Sequence, residues 1–300
     1  MPSQLIYENN NAQLLGYESP KCYPFVKWAG GKSQLLSHLD LLLPKKFSRY
    51  FEPFLGGGAV FFYLLSKKNT RFKAFLSDIN EELINSFDIV KNNVEELIKV
   101  LENHQRKYNR SPREYYYELR ARTKSLNRIE SAGRFVALNK TCYNGLYRVN
   151  TGGIFNVPIG RYKKPLICDH SNLRNISMIL RNSDTHFASI DYKTILETKA
   201  RQGDFIYLDP PYNPINSTSN FTSYTNNKFS EKDQIELSEI FNKLHDRKCN
   251  ILLSNSDTPL IRELYREYAD YTIRVNALRA INSKGSKRTG HRELLIRNYP

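Results

Sequence analysis

The pattern that decides the fold lies in residues 48–78, which read SRYFEPFLGGGAVFFYLLSKKNTRFKAFLSD. The first eight residues predict a β-strand, the glycines at 56–58 predict a tight turn, and the apolar run after them predicts a helix. A second predicted strand, over 71–78, ends in the acid Asp78. The order strand, glycine turn, helix, strand is typical of a βαβ unit, so we expect an α/β protein with a parallel sheet.

Similar patterns return in the second half of the chain. Apolar runs predict strands at 186–191, 203–212, 250–256, 271–278 and 293–299, and helical patterns occur at 230–247 and 258–268. The middle differs, because helical periodicity at 81–108, 113–123 and 129–140 is followed by a Gly-, Asn-, Tyr- and Arg-rich hairpin or loop at 141–165. We expect a polar N-terminal extension (1–20), an α/β domain built from 21–89 and 185–300, and a mostly helical insertion over 90–184.

The positive charge is concentrated in this insertion. The formal net charge of the chain is +15, and between Arg106 and Lys164 there are fourteen Lys or Arg residues but only three acidic ones. A second basic stretch, NSKGSKRTGHR, occupies residues 282–292. Clusters of this kind are typical of polyanion-binding surfaces, so nucleic acid is the favoured partner.

Composition argues against several other classes of protein. No apolar run reaches the roughly 20 residues that a transmembrane helix needs. The N-terminus lacks the basic and apolar parts of a signal peptide, so we expect a cytoplasmic protein that does not bind membranes. The four cysteines (Cys22, Cys142, Cys168 and Cys249) have no metal-binding spacing, so we expect no metal. We expect a monomer.

The glycine turn is a candidate ligand site. Glycine tolerates positive φ and lets a ligand approach the backbone closely. Asp78 follows about twenty residues later, where nucleotide-binding α/β proteins place a ribose-binding carboxylate. The segment GGKS (30–33) does not complete a phosphate-binding loop, because Val26 stands where that loop requires a glycine. A nucleoside ligand without phosphates, such as S-adenosylmethionine, fits better. A plain structural turn remains the alternative at this point.

The segment IYLDPPYNP (206–214) poses a chemical question. An apolar strand ends in Asp209, and the prolines that follow make the next turn stiff. Methyl transfer to the exocyclic amine of a base requires acceptors for the amine hydrogens, which the Asp209 carboxylate and the Pro210 carbonyl can provide. The base must also leave the helical stack and be held against an aromatic ring, as Tyr212 could do. The alternative is a proline-rich turn in which Tyr212 only packs.

Five segments together resemble the Dam-type DNA adenine methyltransferases of the alpha group. They follow the order of that family: FVKWAGGK (25–32), YFEPFLGGGAVFF (50–62), LSDIN (76–80), NGLYRVN with FNVPIGRYKKP (144–165) and DPPY (209–212). The resemblance extends from about residue 23 to the C-terminus. It implies a Rossmann-like, S-adenosylmethionine-dependent methyltransferase domain with an inserted, mostly helical DNA target-recognition domain, and it implies double-stranded DNA as the substrate.

The resemblance also implies roles for individual residues. Those that match the family's S-adenosylmethionine contacts and glycine loop are Trp28, Lys32, Phe54, Gly56, Gly58, Asp78, Asp191, Tyr192 and Asp209. Those that match its catalytic pocket are Asp209, Pro210, Pro211 and Tyr212.

Residues of the insertion match the family's DNA contacts. Tyr143 and Asn144 match positions that open the base stack and contact the orphan base. Arg148 matches an arginine that binds guanine, and Leu146 and Pro158 can contact a thymine methyl group. The basic residues that we assign to phosphates are Lys27, Arg134, Lys140, Arg161, Lys163 and Lys164. Enzymes of this pattern mostly recognise GATC, so we expect GATC as the target.

Three alternatives remain open from the sequence. The first is a methyltransferase for cytosine amines or for RNA, although the aspartate at position 209 favours adenine in DNA. The second is a DNA-binding protein that has lost cofactor binding. The third is a P-loop nucleotide hydrolase, which the missing glycine disfavours. The sequence also leaves open whether a cognate restriction endonuclease exists or whether the methylase is solitary.

Overall fold

A seven-stranded sheet lies at the centre of the described part of the chain. The strands are β1 (Arg49–Glu52), β2 (Lys73–Asp78), β3 (Thr185–Ser189), β4 (Phe205–Leu208), β5 (Asn250–Ser256), β6 (Thr272–Ala277) and β7 (His291–Arg297). Their order across the sheet is β3-β2-β1-β4-β5-β7-β6. Strands β1 to β5 pair in parallel, whereas β7 runs antiparallel to β5 and β6. The predicted α/β class is confirmed.

The computed structural model describes residues 22–28, 30–32, 35–67, 72–123, 126–214, 229–277 and 291–300. The predicted extension over 1–20 and most of the basic stretch 282–292 lie outside these described residues. Within the described ranges, no helix combines the length and the apolar character that crossing a membrane requires.

Helices connect the strands and cover both faces of the sheet. They are α1 (Leu36–Asp40), α2 (Ala59–Ser66), α3 (Glu81–Asn92), α4 (Val94–Arg110), α5 (Pro112–Ala121), α6 (Arg128–Thr141), α7 (His170–Arg181), α8 (Tyr192–Lys199), α9 (Glu231–Asp246) and α10 (Pro259–Leu264). Because successive strand residues point to opposite faces, Tyr50 packs into one apolar cluster with α1 to α7, and Phe51 packs into another with α8 to α10.

Several predicted helix boundaries differ from the observed ones. The predicted helix over 81–108 is two helices, because α3 ends at Asn92 and the backbone turns at Asn93 (φ −136°, ψ 42°) before α4 begins. The predicted domain boundary between residues 89 and 90 therefore falls inside α3, and Asn93 is the nearest break in the helix. Helices α7 and α8 were not predicted, although Asp169 caps α7 by accepting a hydrogen bond from the Asn172 N–H.

The insertion and the sheet share buried side chains. Helices α4 to α7 contribute to the same apolar cluster as α2, α3 and one face of the sheet. Among the described residues, the buried side chains of the insertion are continuous with those of the α/β part, so the division into two domains stays a prediction.

Gly145 brings the insertion into contact with the segment before α1. Its φ is +64°, and a Cβ at this position would lie 2.4 Å from the Cβ of Lys27. Asn139 holds the backbone of Lys27 in place from both sides. The Lys27 N–H donates to Asn139 Oδ1 at 2.7 Å, and Asn139 Nδ2 donates to the Lys27 carbonyl at 2.7 Å. A side chain at position 145 therefore meets a neighbour whose backbone is held by two hydrogen bonds.

We expect Gly145→Ala to lower the free energy of unfolding by about 2–5 kcal/mol, because backbone strain and overpacking add. Gly203→Ala is the matched control, since Gly203 has φ +81° but no atom within 4 Å of an added Cβ. That control should lose only about 1–2 kcal/mol, which is the cost of a left-handed backbone. Urea titrations of the three proteins measure both losses, and equal losses would contradict the proposed contact with Lys27.

Candidate active site and DNA-recognition surface

The predicted catalytic segment lies at the carboxyl ends of the parallel strands, at the point where the strand order reverses. Strands β1 and β4 are neighbours, but β2 and β3 extend the sheet on one side and β5 extends it on the other. Ligands of open α/β sheets bind at the carboxyl ends of the strands at such a point. Asp209 follows β4 there, and Asp78 ends β2 at the same edge.

Two donors hold the carboxylate of Asp209. Its Oδ1 atom lies 2.7 Å from Lys32 Nζ and accepts a hydrogen bond of 2.9 Å from Ser254 Oγ. The Lys32 side chain is 6% exposed and the Asp209 side chain is 20% exposed. The structure thus brings two predicted site residues together in an ion pair that is largely shielded from water.

Strand β5 holds the turn that follows Asp209. Asn255 Oδ1 accepts a hydrogen bond of 3.2 Å from the Asn213 N–H, and Ser256 Oγ donates to the Asn213 carbonyl. The residues of β5 that make these hydrogen bonds and the one to Asp209, namely Ser254, Asn255 and Ser256, are buried. They were not predicted, because the sequence SNS does not indicate which segment of the chain these side chains contact in the folded protein.

Helix α9 supports Pro211. Gln234 Nε2 donates to the Pro211 carbonyl at 2.9 Å, and Gln234 Oε1 accepts from Asn255 Nδ2 at 3.0 Å. The Pro210 carbonyl accepts no hydrogen bond from any of the residues that the structure describes. It therefore retains the acceptor capacity that the sequence analysis required.

Tyr212 is anchored by its hydroxyl group. It donates a hydrogen bond of 2.9 Å to Oε2 of Glu293, a buried residue of β7. Burial raises the pKa of Tyr212 well above its ordinary value, so the hydroxyl keeps its proton and remains a donor. Lys32 Nζ lies 4.8 Å from the centre of the ring. Glu293 is a further residue that the sequence analysis missed.

Glu52 is a buried carboxyl group beside this site. It ends β1, is 3% exposed, and accepts a hydrogen bond of 2.8 Å from the Tyr50 hydroxyl. Burial raises the pKa of Glu52 to about 8, and the nearby charge of Asp209 also raises it. At neutral pH Glu52 is therefore mostly protonated, so it does not place a second negative charge beside Asp209.

Trp28 determines the shape of the predicted glycine loop. Gly56 and Gly58 have φ values of +48° and +69°, and a Cβ on Gly56 would lie 2.6 Å from Trp28 Cδ1. The Gly56 N–H donates to Asp78 Oδ2 at 3.1 Å. The loop is therefore held between an aromatic ring on one side and the acid that ends β2 on the other.

Three aromatic rings form a wall at the same end of the parallel strands. The rings of Phe54 and Tyr192 lie 5.0 Å apart, and the ring of Phe229 lies 5.9 Å from each. Asp191 is exposed, and its Oδ1 caps α8 by accepting from the Lys193 N–H at 2.8 Å. The structure thus brings Phe54 and Tyr192 together, whereas the Asp191 carboxylate caps the N-terminus of α8.

This group of side chains fits S-adenosylmethionine. The buried hydroxyl of Ser77, the residue before Asp78, has no hydrogen-bond partner among the described residues. A carboxylate, an aromatic wall and the ammonium group of Lys32 suit a ligand with a ribose, an adenine ring and an amino-acid end. In the described part of the chain, no three His, Cys, Asp or Glu side chains are grouped to bind a metal.

The predicted recognition segment folds back on itself. Tyr143–Gly145 form a 3-10 turn in which Asn144 has a φ of +53°. The Tyr143 N–H donates to the Pro158 carbonyl at 2.9 Å, so the turn that precedes Leu146 lies beside Pro158. Antiparallel bridges close the loop at two places, between Cys142 and Ile159 and between Val149 and Phe155.

Arg148 lies inside this loop and is oriented by Asn156. Arg148 Nε donates to Asn156 Oδ1 at 2.6 Å, and an Nη atom donates to the Asn156 carbonyl at 3.2 Å. The guanidinium group therefore has a defined direction in the protein alone. Its contact with a base stays a prediction.

The basic residues assigned to phosphates differ in their surroundings. Arg161, Lys163 and Lys164 are exposed. Lys140 is half-buried, and its carbonyl accepts from Lys27 Nζ at 3.3 Å. The same Lys27 ammonium group lies 3.4 Å from the centre of the Tyr162 ring, and burial lowers its pKa.

Arg134 is a structural residue, and its assignment to a phosphate was wrong. It is 6% exposed, and its guanidinium group donates to the carbonyls of Leu119 at 3.1 Å and Arg120 at 3.0 Å. It also forms an ion pair of 3.3 Å with Glu82. The count of basic residues could not reveal this, because it does not distinguish buried from exposed arginines.

Tyr147 connects the recognition segment with the glycine loop. Its ring stacks on Trp28 with the centroids 6.2 Å apart, and its hydroxyl donates to Glu82 Oε2 at 3.0 Å. Trp28 in turn packs against Gly56. The residue next to Arg148 is therefore in direct contact with the aromatic ring that shapes the candidate cofactor site.

Stability should depend on pH through Glu52. Its pKa in the folded protein is about 8 and its ordinary value is 4.5, so the folded state binds more protons between these values. The free energy of unfolding should therefore fall as the pH rises from about 5 to about 8. We expect Glu52→Gln, which cannot ionise, to raise the melting temperature more at about pH 8.5 than at about pH 5. Scanning calorimetry measures this, and a pH-independent difference would contradict it.

Comparisons with known proteins agree with this geometry. The family described as D12 class N6 adenine-specific DNA methyltransferase matches residues 28–281. The chain is 42% identical to the type II methyltransferase M1.LlaDCHI of Lactococcus lactis subsp. cremoris, over 92% of this chain and 95% of that protein. It is 43% identical to the type II methyltransferase M.MjaIII of Methanocaldococcus jannaschii, over 92% and 99%.

A third relative is the DNA adenine methylase of Escherichia coli K12, which is 37% identical over 92% of this chain and 95% of its own length. The resemblance found in the sequence motifs is thus confirmed over most of the chain. The two chemical alternatives, a cytosine-amine or RNA methyltransferase and a P-loop hydrolase, are not supported. The chain belongs to the D12 class N6 adenine-specific DNA methyltransferases and is an S-adenosylmethionine-dependent enzyme of that kind.

Proposed function

We propose that this enzyme methylates adenine within 5'-GATC-3' in double-stranded DNA, with the DPPY segment as catalytic site and residues 141–165 as the reader of the sequence. The observation that supports the catalytic assignment is the position of the Asp209 carboxylate. Lys32 and Ser254 hold it at the point where the strand order of the sheet reverses. The names of the relatives specify no target sequence, so the choice of GATC rests on the resemblance of the recognition loop to that of the Dam-type enzymes.

The cofactor binds at the carboxyl ends of the neighbouring strands β2, β1 and β4. S-adenosylmethionine supplies a methyl group on a sulfonium sulfur, and this sulfur leaves as a neutral thioether. Phe54 and Tyr192 hold the adenine ring of the cofactor, and Asp78 accepts hydrogen bonds from the ribose hydroxyls. The glycine loop lets the ligand lie against the backbone, and Lys32 attracts the carboxylate of its amino-acid end.

The target adenine binds at the DPPY turn after it has left the duplex. Asp209 and the Pro210 carbonyl accept the two hydrogens of N6, which directs the lone pair of the nitrogen at the methyl carbon. The ring of Tyr212 stacks on the base. Its hydrogen bond to Glu293 keeps the ring from turning, and the stiff Pro210–Pro211 segment keeps ring and acceptors in register.

The recognition loop contacts the bases around the target. Arg148 donates to O6 and N7 of a guanine, and Leu146 and Pro158 contact a thymine methyl group. Tyr143 and Asn144 occupy the space beside the orphan base. The hydrogen bond between Tyr143 and the Pro158 carbonyl supports this arrangement, because it puts both parts of the loop on one surface. Residues that contact phosphates are Lys27, Lys140, Arg161, Lys163 and Lys164.

We further propose that the enzyme acts as a monomer on DNA. Two of the relatives are named type II methyltransferases, which favours a restriction-modification setting with a cognate endonuclease that acts independently. The third is named a DNA adenine methylase, so a solitary methylase is the second candidate.

The target sequence can be tested directly. The purified enzyme is incubated with S-adenosylmethionine and unmethylated genomic DNA, and methylated bases are mapped at single-base resolution. We expect N6-methyladenine confined to GATC. Methyladenine at another motif would leave the catalytic assignment intact and would contradict the roles given to Arg148, Leu146 and Pro158.

Arg148→Ala should relax recognition at one base pair, with a loss of about 1–3 kcal/mol of discrimination. Lys163→Ala is the matched control, because a phosphate contact weakens binding to every duplex by the same factor and reduces its salt dependence. The ratio of kcat/KM between GATC and each singly substituted duplex measures the effect. An unchanged ratio in Arg148→Ala would remove this residue from base recognition.

A further inference from the structure

The two oxygens of the Asp209 carboxylate have different surroundings. Lys32 Nζ, at 2.7 Å, and Ser254 Oγ, at 2.9 Å, both contact Oδ1. Among the described residues, no side chain or backbone N–H donates a hydrogen bond to Oδ2. Oδ1 is thus bound by Lys32 and Ser254, whereas Oδ2 can still accept a hydrogen bond.

A second buried hydroxyl group stands behind Ser254. The Tyr207 hydroxyl lies 3.1 Å from Ser254 Oγ. A serine hydroxyl has one hydrogen to donate. Ser254 donates that hydrogen to Asp209, so the Tyr207 hydroxyl is the donor in the other contact. Tyr207 is 1% exposed and burial raises its pKa well above the ordinary value, so it keeps the proton that this direction requires.

The pairing of β4 with β5 fixes the relative positions of Asp209 and Ser254. Strands β4 and β5 pair in parallel, with Leu208 opposite Leu253. The next residues along the two strands are Asp209 and Ser254, so the register of the sheet sets them side by side. Ser254 is fully buried within β5, which leaves its hydroxyl little freedom to turn elsewhere.

We propose that Ser254, supported by Tyr207, is a positioning residue that fixes the rotamer of Asp209 so that Oδ2 is the atom that accepts the N6 hydrogen of the target adenine. This proposal rests on the catalytic role proposed for Asp209. In the reaction the N6 lone pair forms the bond to the methyl carbon, and the carbon–sulfur bond breaks with its electron pair remaining on sulfur. N6 must then lose one proton, and Oδ2 is the base placed to take it.

Ser254→Ala should lower kcat by about tenfold to hundredfold, because an acceptor that can rotate misplaces the amine. The KM values for DNA and for S-adenosylmethionine should change by less than about threefold, since Ser254 touches neither. Two measurements without turnover accompany the kinetics: the affinity for a GATC duplex in the absence of cofactor, and the calorimetric affinity for S-adenosylmethionine. Both should match those of the parent enzyme.

Tyr207→Phe gives a second test that leaves Ser254 in place. It removes only the hydroxyl, so kcat should fall by a smaller factor than in Ser254→Ala. In the double variant the tyrosine change should have no further effect on kcat, because its influence passes through the serine. Independent, multiplicative losses would overturn the proposed order of donors.

Two controls make the outcome interpretable. Ser177→Ala removes another buried serine hydroxyl, one that donates to the Lys91 carbonyl away from this site at 3.1 Å, and kcat should be unchanged. Asp209→Ala should abolish transfer. If Asp209→Ala is inactive while Ser254→Ala keeps full kcat, the proposal for Ser254 fails alone. If Asp209→Ala remains active, the assignment of the catalytic site fails as well.

Discussion

The candidate active site depends on how an ionised carboxylate is satisfied at the end of a buried strand. Asp209 leaves β4 with its side chain mostly shielded, and burial of an unpaired charge is costly. Lys32 supplies the opposite charge and Ser254 supplies a hydrogen bond. Glu52, its acidic neighbour, is mostly protonated at neutral pH. These three conditions allow the ionised carboxylate of Asp209 to lie where an amine must be received.

Side-chain contacts connect the predicted recognition loop with the candidate cofactor site. Tyr147 stacks on Trp28, and Trp28 packs on the glycine at position 56. Glu82 binds both the Tyr147 hydroxyl and the guanidinium group of Arg134. The recognition loop is thus attached to the start of α3, directly after the strand that carries Asp78. Packed rings therefore connect the loop with the candidate cofactor site.

The sequence was sufficient for features that depend on neighbouring residues, and it was insufficient for those that depend on distant ones. The βαβ unit, the glycine loop and the DPPY turn were predicted because each is a local pattern. Ser254 and Glu293 were missed, since they lie far along the chain and reach the turn only when β5 and β7 pair. Arg134 was misassigned because net charge does not reveal that backbone carbonyls surround it. The roles given to the other site residues remain predictions.

The central claim is that Asp209, Pro210 and Tyr212 receive the flipped adenine. The most direct measurement is a crystal structure of the enzyme with a GATC duplex and a cofactor analogue that cannot donate a methyl group. The account predicts N6 within hydrogen-bond distance of Asp209 Oδ2 and of the Pro210 carbonyl, with the base against the Tyr212 ring. A flipped adenine bound elsewhere, or an N6 atom that contacts neither acceptor, would contradict it.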